Sequence, residues 1–205
     1  MIKNVILDIG DVLGHFQWRE IIDRYMDLSK EEFDLLVDAM MTSGLWDEFD
    51  RSLMSDEEIQ NAIIAKAPSI SHKIPEFFKH MGEIVEDYDY SIPWINELHA
   101  AGYKVYILSN YGKTGFEACL KNHRLQFVPL VDGKVISYEL KIVKPEREIY
   151  EFLLNKYGLN ADECVFFDDR PVNVEGANKV GIHGILFKNI DQAKADLKEI
   201  SKRLA

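Results

Sequence analysis

Residues 5–13 read Val-Ile-Leu-Asp-Ile-Gly-Asp-Val-Leu: a short apolar run, then a carboxylate, a glycine and a second carboxylate. An apolar run that ends in this way is typical of a buried strand in a parallel sheet. In open α/β sheets, ligands bind at the carboxyl ends of the strands. Asp8 is therefore predicted to stand at a binding edge as a nucleophile or a metal ligand, unless it only caps the following loop.

The segment after this strand has a helical period and little β pattern. Capping boxes at residues 29–32 and 55–58 each precede apolar side chains at helical spacing. A third helical stretch is predicted around residues 75–85, where a proline suits a first helical turn. We therefore interpret residues 15–89 as an all-α cap domain inserted after the first strand.

Beyond residue 90 the chain alternates between strands and helices. Apolar runs at residues 105–108, 164–167 and 185–187 predict strands, and amphipathic stretches lie between them. Strands that alternate with helices form βαβ units and a parallel sheet covered by helices on both faces. The predicted fold is thus α/β, with residues 1–14 and 90–205 forming its core domain.

Polar groups follow three predicted strands, and a lysine precedes one predicted helix: Asp8, Ser109 with Asn110, Asp168 with Asp169, and Lys144 before Pro145. In a parallel sheet these groups converge at one edge. Carboxylates there can hold Mg²⁺, while Lys144 at a helix N-terminus and the Ser109 hydroxyl can bind phosphate oxygens. The combination indicates phosphoryl transfer. Taken singly, the same groups could be a helix cap, a surface lysine and a solvated turn.

The sequence resembles the haloacid dehalogenase-like hydrolases over nearly its whole length. Four short motifs in order carry the resemblance: Asp8-Ile9-Gly10-Asp11-Val12, Ser109-Asn110, Lys144-Pro145, and Asp168-Asp169 with Asn173. The helical insertion is similar to the first class of cap in this family. The resemblance thus implies a Rossmann-like core with a helical cap. The stretches at 137–140 and 166–169 resemble the subgroup of small sugar-phosphate phosphatases, notably the glucose-1-phosphate phosphatase type.

The resemblance also implies roles for individual residues. Asp8 would be the nucleophile that forms an aspartyl-phosphate, and it would also bind Mg²⁺. Asp169 is the expected second carboxylate ligand, with Asp168 beside it, and the backbone carbonyl of Gly10 would complete the protein ligands. Ser109 and Asn110 would hold the phosphoryl group. Lys144 would neutralise that group and orient Asp8.

One position departs from the family pattern. Most phosphatases of the family carry a general acid two residues after the nucleophile, and this chain has Gly10 there. Asp11 comes one residue later, and strand alternation is expected to aim it elsewhere. The source of the proton therefore stays open, with His15 and Asp11 as the first candidates.

The composition of the chain excludes some classes of binding partner. The net charge of −11 argues against nucleic-acid and anionic-membrane surfaces, which need excess lysine and arginine. No apolar run approaches the roughly 20 residues of a membrane span, and the N-terminus shows no signal-peptide pattern. We expect a cytoplasmic protein, a monomer or weak homodimer, that acts on a small, sugar-phosphate-like metabolite.

Two other functions stay open. A 2-haloacid dehalogenase also lacks the second aspartate, but it needs no metal and would leave the acids at 168–169 unexplained. A binding or regulatory protein with weak turnover is the alternative that the glycine at position 10 favours.

Overall fold

The computed structural model describes residues 1–204, which form a five-stranded parallel sheet with helices on both faces. The strand order is β5-β4-β1-β6-β7, and the bounds are β1 (Asn4–Leu7), β4 (Lys104–Ser109), β5 (Gly133–Ile136), β6 (Cys164–Asp168) and β7 (His183–Leu186). This confirms the predicted fold class. The first strand lies in the middle of the sheet because its four residues are all buried and pair on both sides.

Strand alternation sends neighbouring side chains to two separate cores. Val5 and Leu7 pack on one face of the sheet, and Ile6 packs on the other. The helices after residue 90 are α6 (Ser91–Ala100), α7 (Lys113–Lys121), α8 (Ser137–Leu140), α9 (Arg147–Tyr157), α10 (Pro171–Lys179) and α11 (Ile190–Arg203). Buried side chains of α6 and α11 belong to the first core, and those of α9 and α10 belong to the second.

The register of the sheet fixes where the strands end. Leu7 pairs with Ile107 on one side and with Phe167 on the other, so the residues after these three end together at one edge. The Asp8 N–H then donates to the Phe167 carbonyl at 3.0 Å. The position of Asp8 is thus set by the main chain of two strands rather than by a flexible loop.

The insertion after β1 is helical, as predicted. It contains α1 (Trp18–Tyr25), α2 (Lys30–Val37), a π-helical turn (Asp38–Thr42), α3 (Leu45–Arg51), α4 (Asp56–Lys66) and α5 (Ile74–Lys79). Both predicted capping boxes are present, before α2 and before α4. The helices pack through buried apolar residues such as Leu36, Phe49 and Phe77. In residues 1–204, no helix has the length and apolar character needed to cross a membrane.

A two-stranded antiparallel ribbon stands at the two ends of this helical segment. It pairs β2 (Gly14–Phe16) with β3 (Val85–Asp87). The sequence did not predict this ribbon, because strands of three residues are too short to show alternation. The last helical turn before it ends at Glu83, so the predicted third helical stretch runs into β3. The division into domains at residues 15 and 89 stays a prediction.

Candidate active site

The predicted site residues meet at the carboxyl edge of the sheet. Oxygen atoms of Asp8, Asp168 and Asp169 all lie within 4.8 Å of one another. Asp8 follows the central strand, and the other two aspartates lie at the end of the neighbouring β6. Three carboxylates this close repel one another unless a cation or protons compensate them.

Lys144 supplies one such cation. Its Nζ lies 2.9 Å from Asp8 Oδ1 and 2.6 Å from Asp168 Oδ2, and its side chain is almost completely buried. Burial works against the charge on this lysine, but Asp168 and Asp8 outweigh that effect and raise its pKa above the ordinary value. Burial also raises the pKa of Asp8, to about 7, against the opposing effect of Lys144.

The main chain around Lys144 differs from the prediction. Helix α9 begins at Arg147 with Glu146 as its N-cap, so Pro145 does not open the helix. A residue that precedes proline is disfavoured in the α conformation, which agrees with a helix that begins only after Pro145. Lys144 therefore lies before the first helical turn, and its own charge rather than the helix dipole is its contribution to the site.

The two acids at the end of β6, Asp168 and Asp169, have different surroundings. Asp168 is fully buried, and its oxygens accept from the Asn173 amide at 3.0 and 3.1 Å and from the Arg170 N–H at 2.9 Å. Asp169 is less buried and lines the cavity above the site. Burial, with Asp168 and Asp11 nearby, raises the pKa of Asp169 to about 6. Asp168 is held in place by its neighbours, whereas Asp169 faces the space that a ligand would enter.

Ser109 and Asn110 occupy the predicted place but differ in what their side chains do. Ser109 is buried at the end of β4 and lines the cavity. The Asn110 side chain accepts from the Lys144 N–H at 2.7 Å and donates to the Lys144 carbonyl at 3.0 Å. Its amide thus fixes the main chain of the lysine. Asn110 and Lys144 lie far apart in the chain, so the sequence around either residue does not predict this contact.

The turn after β1 brings Gly10 and Asp11 to the cavity. A Cβ atom at Gly10 would lie 3.8 Å from the Phe16 Cβ, an ordinary contact, so the glycine is not required by space. Asp11 was expected to point elsewhere, but β1 ends at Leu7 and strand alternation no longer applies. Asp11 has a left-handed backbone (φ 53°), and its Oδ1 accepts from the Phe16 N–H at 3.1 Å.

A cavity of about 320 Å³ separates this edge from the helical insertion. Its apolar wall comes mainly from the insertion: Phe16, Trp18, Met41, Trp46, Phe49 and Met81. Trp46 packs against Phe16 and Phe49, and Trp18 stacks on Phe33, so these rings serve both the packing of the insertion and the cavity wall. Two acids of α3, Asp47 and Asp50, line the cavity and were not predicted.

Comparison with known proteins places the chain in a family. Residues 2–181 match the model of the haloacid dehalogenase-like hydrolases. The chain belongs to this family. A sesquiterpene phosphatase from Aspergillus oryzae is 25% identical over 183 residues, which cover 89% of this chain and 88% of the relative. A D-ribitol-5-phosphate phosphatase from Bacteroides thetaiotaomicron is 22% identical over 189 residues, which cover 88% of this chain and 89% of the relative.

A solved structure shares the fold. A haloacid dehalogenase family enzyme from Bacteroides thetaiotaomicron, in complex with magnesium and inorganic phosphate, superposes with a TM-score of 0.73. The superposition covers 92% of this chain and 95% of the chain of that enzyme, and the sequence identity is 22%. The predicted family is therefore confirmed. The predicted glucose-1-phosphate phosphatase subgroup stays a prediction.

The cluster of acids suits a hard divalent cation. Asp8, Asp168 and Asp169 offer only oxygen atoms, the ligands that Mg²⁺ prefers. Asn173 Oδ1 is buried at the wall of the same cavity and has no hydrogen-bond partner in residues 1–204. A buried acceptor without a donor is costly unless a cation-bound water or a ligand satisfies it. The residues present therefore fit a magnesium ion.

Proposed function

We propose that the protein is a Mg²⁺-dependent phosphatase that hydrolyses a small phosphorylated metabolite through an aspartyl-phosphate on Asp8. The observation that carries the proposal is the buried contact of Lys144 with Asp8 and Asp168, beside Asp169, at the edge of the cavity. A carboxylate that faces a lysine and a metal site can approach an anionic phosphate, which an isolated carboxylate would repel. The phosphatases among the relatives support this reaction class.

Each residue has a defined task in this proposal. Asp8 attacks phosphorus, and Lys144 holds its carboxylate in place and neutralises charge on the phosphoryl oxygens. Ser109 and the main-chain N–H of Asn110 would donate to the same oxygens. Asp8, Asp169 and the Gly10 carbonyl would hold Mg²⁺, with Asp168 orienting Lys144. The ion would supply Lewis-acid stabilisation of the charge that develops on the transferring group.

The cavity wall supports a substrate whose organic part carries no negative charge. Among its described lining residues the cations are Lys144 and Arg170, both in the core domain, whereas the insertion contributes Asp47 and Asp50. Carboxylates beside aromatic rings suit neutral hydroxyl-bearing groups, as in a sugar phosphate. A 2-haloacid would bring its own carboxylate toward Asp47, so this arrangement disfavours the dehalogenase alternative.

A phosphate-release assay tests the function. We expect hydrolysis of sugar, acyl and aryl phosphates in Mg²⁺, and a loss of about 10²–10³-fold when the ion is chelated, because a bound metal contributes several kcal/mol to transition-state stabilisation. Adding Mg²⁺ back should restore the rate. Halide release from 2-haloacids in chelator would support the dehalogenase instead, and binding of phosphate esters without turnover would support a binding protein.

The metal ligands give a second prediction. Asp169→Asn should raise the Mg²⁺ concentration needed for half-maximal activity by at least about tenfold, because an amide is a weaker ligand for a hard cation. The matched control is Asp23→Asn on the exposed side of α1. The control should have the metal requirement of the unmodified protein. An unchanged requirement in Asp169→Asn would remove this residue from the metal site.

A further inference from the structure

Asp50 is a carboxylate buried where the insertion meets the core domain. It lies in α3 and is 7% exposed. Its Oδ1 accepts from the Gly112 N–H at 3.1 Å, and its own carbonyl accepts from the Ser137 hydroxyl at 2.7 Å. Two segments of the core domain thus hold Asp50 in one position, although it belongs to the helical insertion.

The second carboxyl oxygen of Asp50 is free to act in the cavity. Asp50 lines the cavity that also contains Asp8, and in residues 1–204 its Oδ2 has no hydrogen-bond partner. Oδ2 is nevertheless not fully enclosed. Because Asp50 lines the cavity, this oxygen can be reached by a group bound there.

The surroundings of Asp50 favour its protonated form at neutral pH. The titratable and charged groups around it are Asp47 on the same helix, Asp8 and Lys144 at the sheet edge, and Tyr111 after β4. Burial raises the pKa of Asp50 to about 8, and the charge of Asp47 adds to this effect, while the Gly112 N–H and Lys144 oppose it. A carboxylic acid that keeps its proton at neutral pH can donate it during catalysis.

The geometry points to Asp50 as the general acid and base of this active site, in the role that Gly10 leaves empty. This inference rests on the proposed phosphatase function. In the first step, the bond from Asp8 to phosphorus forms as the ester P–O bond breaks, and the Oδ2 proton of Asp50 passes to the leaving oxygen. In the second step, water attacks phosphorus, the bond to Asp8 breaks, and the proton of that water returns to the Asp50 carboxylate.

The two residues first considered for this role are less suitable. Asp11 has a side chain that is 44% exposed, and its Oδ1 is occupied by the Phe16 N–H. His15 is 43% exposed, and its ring nitrogens face Asp11 and Glu20, at 3.3 and 2.9 Å. Both groups are in contact with solvent, so the cavity does not hold their protons toward a substrate as it does for Asp50.

The test is Asp50→Asn, measured on phosphate esters whose leaving groups differ in pKa. The amide keeps an oxygen for the Gly112 N–H, so the fold should be retained. The quantity compared is kcat/KM, which reports formation of the aspartyl-phosphate and not its hydrolysis. We expect kcat/KM to fall by about 10²–10⁴-fold for alkyl phosphates, whose leaving oxygens need a proton, and by less than about tenfold for 4-nitrophenyl phosphate, whose leaving oxygen does not. Asp50→Glu should recover part of the alkyl rate.

Glu48→Gln is the matched control, because it removes a carboxylate from the same helix that does not line the cavity. It should keep the leaving-group dependence of the unmodified protein. The kcat/KM of the unmodified protein for alkyl phosphates should fall above about pH 8 as Asp50 loses its proton, while its kcat/KM for 4-nitrophenyl phosphate should not. Removing the like charge at position 47 should move this alkaline limb to lower pH.

Gly10→Asp in the Asp50→Asn background gives a rescue, since a Cβ at position 10 has room beside Phe16. A selective return of alkyl-phosphate hydrolysis supports the missing-proton explanation.

The outcomes separate the two proposals. If the unmodified protein releases no phosphate from any ester, the proposed function and this inference both fail. If it is active and Asp50→Asn lowers kcat/KM by the same factor for all esters, or changes it for none, only the inference fails. If Asp50→Asn does not fold, the pH profiles of the unmodified protein decide: an alkaline limb confined to alkyl phosphates supports the inference, and identical profiles overturn it.

Discussion

Replacing Asp8 with asparagine should lower turnover by roughly 10⁴-fold or more and leave the fold intact. Loss of a catalytic nucleophile has effects of this size, because the remaining groups can still bind substrate but cannot form the covalent intermediate. Asparagine has nearly the same shape as aspartate and keeps an oxygen to accept from the Ile9 N–H, which now donates to Asp8 Oδ1 at 2.7 Å. The measurement is the rate of phosphate release, together with acid quenching to detect phosphorylated protein, which only the unmodified protein should give.

The free energy of unfolding of the Asp8→Asn variant tests whether burial raises the pKa of Asp8. Burial raises the pKa of Asp8 to about 7 in the folded state, from an ordinary value near 4. Such a group favours the folded state below about pH 4, and this contribution is lost as the pH rises toward 7. The neutral amide does not titrate. Without metal, the variant should therefore be no less stable than the unmodified protein at pH 8.

Asp11→Asn is a suitable control, because it neutralises a carboxylate only three residues away. Its turnover should remain within about tenfold of the unmodified value. A comparable loss in both variants would show that charge near the turn, rather than a nucleophile at position 8, limits the reaction. Retention of most activity in Asp8→Asn would remove that residue from its proposed role.

Most of this arrangement could be predicted because parallel strands end at one edge. Asp8, Ser109 and Asp168 lie far apart in the sequence, yet each follows or ends a recognisable apolar run. The register of the sheet then brings them together without any further information. Lys144 was predicted by the same motif order, although the helix after it begins later than expected.

Contacts between the helical insertion and the rest of the chain could not be predicted in this way. The pattern of an amphipathic helix identifies its buried side chains, but it does not tell which distant segment each of them faces. Asp50 therefore reads as one more acid of an acidic helix, and only the Gly112 and Ser137 contacts show that it is enclosed. Trp46 reads as a packing residue for the same reason, although it also lines the cavity.

Replacing Lys144 with methionine should impair both activity and folding. Lys144 is 2% exposed and is the cation between Asp8 and Asp168. Methionine fills a similar volume but leaves two buried carboxylates uncompensated, and removing one partner from a buried ion pair typically costs about 3–5 kcal/mol. We expect turnover to fall by about 10³-fold, since the variant loses the cation that faces the phosphoryl oxygens and the group that orients Asp8.

The loss of stability should depend on pH in a direction that tests the cause. Lys144 lowers the pKa of Asp8, so without the lysine the pKa of Asp8 should rise further. At pH 5 Asp8 is then protonated and the penalty is small, whereas by pH 9 it must ionise next to Asp168 and the penalty is largest. The raised pKa of Lys144 keeps the unmodified protein's lysine charged throughout this range, so the difference arises from the carboxylates.

Denaturant unfolding of the metal-free proteins at pH 5, 7 and 9 would measure this dependence. The matched control is Lys104→Met on β4, where an exposed lysine contacts Asp132 at 2.7 Å. An exposed ion pair is screened by water and contributes little to stability, so the control should lose little stability and no activity. A loss in Lys144→Met that is the same at all three pH values would indicate a packing defect. A loss that grows with pH would identify Lys144 as the charge that allows these carboxylates to share one buried site.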